Sequence, residues 1–249
     1  MRIALLASAL ALSACPGAQA QSLRNLCAAA AKRVQADYRL SEAVRAVFRP
    51  PSFSSTAGEC IYPLQVLRFA SADVLLTQGN VPGEACHGCS AHLSAYVLRR
   101  AGGGLKPAAR FIDFAEAGTF GGAGDISPLT IGGDDGLVIE GGGTFQGYSF
   151  SNLDFYVFKA GRVVHLTAAP AITISASNGG AMTDDHKAID VTGSWSILSV
   201  PGNALAVDYK IKARGRSHVE HLVWTLTGSR LVLTHGRVPA EVGQASGGG

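Results

Sequence analysis

A pair of cysteines with histidines nearby is the part of the sequence whose side chains point most directly to chemistry. Cys86 and Cys89 are separated by two residues, His87 lies between them, and His92 follows shortly afterwards. Such a C-x-x-C pair can exchange disulfides, hold a soft metal ion together with histidine, or form a structural disulfide. The sequence leaves all three uses open and favours the structural disulfide.

The surroundings of the pair argue against the first two uses. Thioredoxin-type cysteines lie at a helix N-terminus, which lowers the thiol pKa, whereas residues 93–99 alternate as a strand does. A zinc site would need Cys86, His87, Cys89 and His92 together, and only one C-x-x-C half is present. Redox activity and metal binding are therefore alternatives, and we predict no metal or other cofactor.

The N-terminus has the pattern of a secretory signal peptide. Arg2 precedes a short apolar run, 3–12, which is too brief to span a bilayer. Cleavage after Ala20 fits a small-x-small site and makes 1–20 the signal peptide, whereas Cys15 fits a lipobox whose cysteine is acylated. We expect a periplasmic or secreted protein, with an outer-membrane lipoprotein as the alternative.

Export places the remaining cysteines in an oxidising compartment. Either cleavage takes the first cysteine out of the disulfide count, which leaves an even set: Cys27, Cys60, Cys86 and Cys89. We predict that Cys27 pairs with Cys60 and that Cys86 pairs with Cys89. In the second loop we expect Gly88 to adopt a backbone conformation that other residues avoid.

Composition narrows the classes of partner. The chain has 21 basic and 18 acidic residues, and because the basic residues are scattered without interleaved aromatics we expect no nucleic-acid partner. No later stretch is long and apolar enough to cross a membrane, so we expect membrane association only through a lipid anchor. The predicted partner is an envelope protein or a small ligand of unknown identity.

The region after the signal peptide predicts helix. Apolar residues recur at helical spacing after Ser22, which can act as an N-cap, on a face made of Leu23, Leu26, Cys27, Ala30 and Val34. A second helix begins at Ser41 and ends by Pro50, because proline lacks a backbone donor. We therefore assign 21–57 to a helical segment and a linker.

The rest of the chain predicts a mainly β fold. Over 58–240 the segments are short and punctuated by glycine, with no long helical periodicity. Residues 93–99 align without gaps on 153–159, and 222–227 keep the same apolar phase. Each is followed by glycine and another strand, which predicts antiparallel meanders in a sandwich or open barrel, with a propeller-like repeat as the alternative.

Glycine marks two further regions. The stretch 118–147 holds 11 of the 31 glycines, which predicts turns and bulges. The end of the chain, 241–249, is rich in small and polar residues and finishes in three glycines, which predicts a disordered tail.

Several segments resemble catalytic or metal motifs without matching them. The acidic turns 132–136 and 183–186 lack the spacing of an EF-hand loop, and the strand 218–221 is not H-E-x-x-H. No nucleophile elbow, phosphate loop or dinucleotide fingerprint occurs in the sequence. Catalytic residues are therefore unknown, and the sequence favours a non-enzymatic role.

The segment 86–89, followed by Ile-Gly-Gly at 131–133, Glu140, and Gln-Gly-Tyr at 146–148, resembles a loose set of uncharacterised exported bacterial proteins. The resemblance implies export and a β-rich fold, and it carries no activity. We predict an exported envelope protein that acts as a non-catalytic binding or structural β-domain. The alternatives are a periplasmic thiol redox protein using Cys86 and Cys89, and a metal-binding protein using the same cysteines with His87 and His92.

Overall fold

The fold is mainly β, with two sheets of antiparallel strands and a short N-terminal helical region. It was obtained as a computed structural model that describes residues 25–54, 60–159, 161–167, 171–182, 184, 187–198 and 202–247. The predicted signal peptide, Cys15 and most of the acidic turn 183–186 lie outside the described residues. Within the described residues, no helix is both long and apolar enough to span a membrane.

The N-terminal segment begins as a strand and continues as helix. Its elements are β1 (Leu26–Cys27), a 3-10 turn (Ala28–Ala30), α1 (Ala31–Ala36), α2 (Tyr38–Val47) and β2 (Phe53–Ser54). Leu26 pairs in parallel with Phe53 and Ile61. The helix predicted from Ser22 is therefore wrong at Leu26 and Cys27, because their backbones join a sheet. The inward orientation expected of Cys27 is found, since only 1% of the residue is exposed.

Helix α2 begins earlier than the sequence predicts. The Asp37 side chain accepts hydrogen bonds from the backbone N–H groups of Arg39 and Leu40, so it acts as the N-cap in place of a start at Ser41. The helix ends at Val47, before the prolines, as expected. Its apolar face packs on the first sheet in one cluster with residues such as Leu40, Ala43, Val44, Leu75 and Leu98.

The first sheet is buried on both faces in its central strands. It has the order β2-β1-β3-β4-β5-β6, in which the longer strands are β3 (Ile61–Arg68), β4 (Asp73–Gly79), β5 (Ala91–Ala101) and β6 (Gly104–Ala117). Successive side chains point to opposite faces, so Leu75 packs with the helices whereas Val74 and Leu76 belong to a second cluster. That cluster also contains Leu137 and Ile139 of the second sheet, which makes the arrangement sandwich-like.

The second sheet carries the rest of the chain. Its strands are β7 (Asp125–Ile131), β8 (Asp134–Phe145), β9 (Tyr148–Lys159), β10 (Arg162–His165), β11 (Ile172–Ser177), β12 (Ile189–Leu198), β13 (Ala204–Ala213), β14 (Arg216–Thr227) and β15 (Arg230–His235). They follow the order β15-β14-β13-β12-β11-β9-β8-β7, and β10 pairs with β9. The three segments aligned in the sequence lie in β5, β9 and β14, each in an antiparallel meander, and these meanders belong to two sheets.

The C-terminal tail differs from the prediction. Helix α3 (Ala240–Ala245) occupies the stretch that the sequence predicts to be disordered. Val242 and Ala245 are buried in the same cluster as Phe155 and Tyr209 of the second sheet. Two small apolar side chains are enough to dock this short helix, and composition alone does not reveal that burial.

Candidate functional site

Both predicted cysteine pairs are present. Cys27 is joined to Cys60 and Cys86 to Cys89, each with a Cα–Cα distance of 5.0 Å. The first disulfide ties β1 to the residue before β3 and is buried at Cys27. It holds the N-terminal segment on the sheet.

The second disulfide closes a turn between β4 and β5. The Cys89 N–H donates to the Cys86 carbonyl at 2.9 Å, Cys86 is exposed, and Cys89 is half-buried. Strand β5 begins at Ala91, so the pair precedes a strand, as predicted, and lacks the helix dipole that would lower a thiol pKa. Gly88 is not among the residues with positive φ, so the expectation of an unusual backbone at this glycine is wrong.

A glycine-rich loop, 118–124, is bound to this turn through the backbone. The Gly121 N–H donates to the Cys89 carbonyl at 2.8 Å and the Phe120 N–H donates to the His87 carbonyl at 3.2 Å. The Gln78 side-chain amide, which is buried, donates to the Gly121 carbonyl at 2.6 Å. These bonds hold the loop 118–124 against the disulfide turn. The side chains of the loop and those of the turn therefore keep a defined position relative to each other.

Four rings from three segments form an aromatic stack: Phe120, His87, Phe145 and Phe150. The His87 ring lies between Phe120 and Phe145, with centroid distances of 4.5 Å and 5.0 Å and interplanar angles of 14° and 8°. Phe150 continues the stack from Phe145 at 6.2 Å. The two phenylalanines on either side of His87 are nonetheless exposed, Phe120 at 47% and Phe145 at 41%.

Phe120 is held in a backbone conformation that disfavours it. Its φ is +52°, in the left-handed region that a residue with a Cβ occupies at a cost of roughly 1–2 kcal/mol. Its N–H and carbonyl are bonded to His87 and Gly83, so the surrounding loops impose this conformation. A glycine here would avoid both the backbone strain and the exposed ring. Strain of this kind concentrates at functional sites, which makes Phe120 the residue of most interest on this surface.

A groove of about 380 Å³ adjoins the aromatic stack, because its lining includes Thr119, the residue before Phe120. Glycine backbone forms much of its lining, and its polar side chains include Asp125, Glu140 and Ser151. The Ser151 hydroxyl donates to Glu140 Oε1 at 3.3 Å. Asp125 and Glu140 lie directly opposite each other on β7 and β8, so two carboxylates face the groove without a cation partner among the described residues.

Close contacts between backbone segments explain part of the clustering of glycine in residues 118–147. A Cβ at Gly142 would strike the carbonyl oxygen of Phe150, and a Cβ at Gly124 would strike that of Glu140. The sequence predicted turns and bulges in this stretch. The structure adds that several of these glycines are required because strands and loops meet at backbone distance around the groove.

The histidines predicted as metal ligands are not assembled into a metal site. His92 Nδ1 lies 3.5 Å from Glu116 Oε1, and the two cysteines are bonded to each other. Within the part of the chain that the structure describes, no group of three or more His, Cys, Asp or Glu side chains is placed to hold a metal ion. The geometry therefore gives no support to metal binding.

A cluster on the second sheet looks like a hydrolase triad but has the wrong geometry. His165 Nε2 lies 2.9 Å from Asp154 Oδ1 and 2.8 Å from Thr167 Oγ1, so one ring nitrogen meets both partners. A general base needs the acid on one nitrogen and the nucleophile on the other. Thr167 is also buried and accepts a bond from the Phe155 N–H. The cluster is structural, and the neighbouring Tyr156, whose pKa is raised by burial, stacks on His165 at 4.5 Å.

Comparison with known proteins adds no assignment. No protein-family model, no curated protein and no solved structure matches the chain. The functional argument is therefore carried by the residues of this chain, above all by the aromatic stack and the groove beside it.

Proposed function

We propose that this chain is an exported, non-catalytic binding protein that takes up its ligand on the aromatic stack. The observation that carries the proposal is Phe120, an exposed ring held on a strained backbone. Folding gains nothing from displaying this ring to water, and a strained backbone is kept where the surrounding structure has a use for it. Binding supplies that use, because a ligand would cover the exposed rings.

The ligand class that fits this surface best is a sugar ring of an envelope glycan. The C–H face of a pyranose is flat and apolar, so it packs on an aromatic ring, while its hydroxyl groups need hydrogen-bond acceptors at the edge. The carboxylates of Asp125 and Glu140 and the hydroxyl of Thr119 line the adjoining groove and provide such acceptors. An apolar platform beside a few polar groups is the general composition of a small-molecule site.

Export is supported by the N-terminal sequence and by the disulfides. A basic residue followed by a short apolar run is typical of a signal peptide. The two disulfides agree with an oxidising compartment such as the periplasm or the extracellular medium. An envelope glycan would be accessible in either compartment, and cleavage at the lipobox would tether the protein near it.

The binding proposal is tested by titrating the mature protein with neutral N-acetylglucosamine and glucose oligosaccharides, followed by NMR. The Phe120→Ala variant should bind about tenfold more weakly, because it loses an aromatic contact worth about 0.5–1.5 kcal/mol together with the apolar burial of the ring. The matched control is Tyr38→Ala, which removes a ring that is 78% exposed on α2. Unchanged affinity in Phe120→Ala, or no binding of either series by the wild type, would exclude the proposal.

Thiol redox activity is a second candidate, favoured by the unequal exposure of the two cysteines. Cys86 is exposed and adjoins His87, whereas Cys89 is half-buried, an arrangement that suits an attacking and a resolving thiol. Against this candidate, strand β5 follows the pair, so no helix N-terminus is present there to stabilise a thiolate. Thiolate absorbance of the reduced protein, with an assay on a model disulfide, separates the two functions. A depressed Cys86 pKa with multiple turnovers would establish redox catalysis and displace the binding proposal.

A further inference from the structure

Part of strand β14 has no neighbouring strand on its outer side. The strand covers Arg216–Thr227, but β15 pairs only with residues 223–227. Residues 216–221 are all exposed, and 67% of Val219 is accessible to solvent. In the part of the chain that the structure describes, β13 is the only strand paired with this stretch. Its outer edge is therefore open to a further strand.

The backbone of this edge presents hydrogen-bonding groups at alternate residues. The Leu226 N–H donates to the Asn203 carbonyl at 2.7 Å, so the even-numbered residues of β14 bond to β13. The odd-numbered residues direct their N–H and carbonyl groups to the opposite side of the strand. At Ser217 and Val219 that side is the open edge, so each of these residues offers one donor and one acceptor to an added strand.

The structure defines both ends of the open edge. At one end, a two-residue turn at 214–215, with φ of +52° and +70°, reverses the chain from β13 into β14. At the other end, Gly236 follows β15 and lies against the His221 carbonyl oxygen, which a Cβ at Gly236 would approach to 2.8 Å. The open stretch is therefore 216–220, and His218 is its midpoint.

The edge of the first sheet has features that block strand addition, and the open stretch of β14 lacks them. Lys106 and Pro107 are exposed on β6, and the register of β6 with β5 shifts at two points. Proline, lysine and irregular register are common means of protecting a sheet edge. The stretch 216–220 contains neither proline nor lysine, and its register with β13 is regular. This edge is therefore suited to pairing.

The charges along the open edge are complementary to those of a second copy. Two copies related by a two-fold axis pair antiparallel, with the central residue opposite itself. About His218, Arg216 of each copy lies opposite Glu220 of the other, and opposite charges placed in this way stabilise a sheet. Among the described residues Arg216 has no carboxylate partner, and the one ion-pair contact of Glu220 is with His218 at 3.9 Å. Both charges are therefore available to a second copy.

We propose that the mature protein forms a two-fold symmetric dimer in which residues 216–220 of two copies pair as antiparallel strands. Ser217 of each copy exchanges backbone hydrogen bonds with Val219 of the other, so the second sheet continues across the junction. The exposed Val219 side chain is then partly covered. The interface is small, so dimerisation is reversible and depends on concentration. It uses no residue of the aromatic stack and does not depend on the glycan proposal.

The test is sedimentation equilibrium of the mature protein at about pH 8, where an ordinary histidine is uncharged, from about 10 μM to about 1 mM. The wild type should show a monomer–dimer equilibrium. The Arg216→Glu variant should associate about tenfold more weakly, because two attractions become two repulsions. The Arg216→Glu/Glu220→Arg variant reverses both charges and should regain the association of the wild type. The matched control is Arg230→Glu, which makes the same change of charge on β15, outside the open edge, and should associate as the wild type does.

Hydrogen exchange followed by NMR locates the interface. The amide protons of Ser217 and Val219 should exchange more slowly in concentrated protein, where the dimer is populated, than in dilute protein. Equal unfolding midpoints show that the variants are folded.

Three results would overturn the proposal. The first is a wild type that stays monomeric over the whole concentration range, which would leave this edge to a strand of a different protein. The second is a double variant that associates no better than Arg216→Glu. The third is a dimer in which the amides of Ser217 and Val219 gain no protection, because another surface would then form the interface.

Discussion

Removing the Cys27–Cys60 disulfide should destabilise the protein more than removing the Cys86–Cys89 disulfide. The first bridge joins residues 33 apart in the sequence and the second joins residues 3 apart. Because the loss of chain entropy in the unfolded state grows with loop length, the bridges are worth about 4 and about 2 kcal/mol. The first also holds β1 against β3, where Leu26 and Cys27 are buried.

The measurement is urea unfolding of two double variants, Cys27→Ala/Cys60→Ala and Cys86→Ala/Cys89→Ala, followed by circular dichroism. The first should lose about 4 kcal/mol of unfolding free energy and the second about 2 kcal/mol. The second variant is the matched control, since it also replaces two cysteines by alanine. Equal losses, or a larger loss in the second variant, would refute the reasoning that loop length and burial at Cys27 set the difference.

Three other substitutions test the backbone packing at two glycines and the burial of one tyrosine. In urea unfolding, Gly142→Ala should cost more than about 2 kcal/mol, because its Cβ would strike the Phe150 carbonyl. Gly88→Ala should stay within about 0.5 kcal/mol, since a Cβ there meets nothing within 4 Å. Burial raises the pKa of Tyr209 to about 12, so stability is lost as the pH rises from about 10 through 12, when only the unfolded chain releases this proton. Tyr209→Phe should lose about 3 kcal/mol less unfolding free energy than the wild type across that interval, as measured by urea unfolding at each pH.

The sequence predicted the parts of the fold that depend on local periodicity. Strand β5 follows from alternation, because residues two apart share a face of the sheet. Two elements could not be found in this way. The strand at Leu26–Cys27 exists only because Phe53 and Ile61 pair with it, and α3 exists because Val242 is buried by the second sheet. Both depend on long-range contacts that local spacing does not encode.

The candidate sites were predicted only in part, for a similar reason. The disulfides follow from the even number of cysteines, although the helix that was expected to turn Cys27 inward is replaced there by strand β1. The aromatic stack combines His87 with Phe120 of the loop 118–124 and Phe145 at the end of β8, and no sequence pattern indicates that these rings meet or that they are exposed.

The most direct test of ligand binding at the aromatic stack is the detection of intermolecular nuclear Overhauser effects. An N-acetylglucosamine oligosaccharide at saturation should show them between its ring protons and the aromatic protons of Phe120 and Phe145. These rings are exposed beside His87, so the contact requires no rearrangement of the loop 118–124. Contacts of a saturating oligosaccharide with other residues, and none with Phe120, would contradict the account.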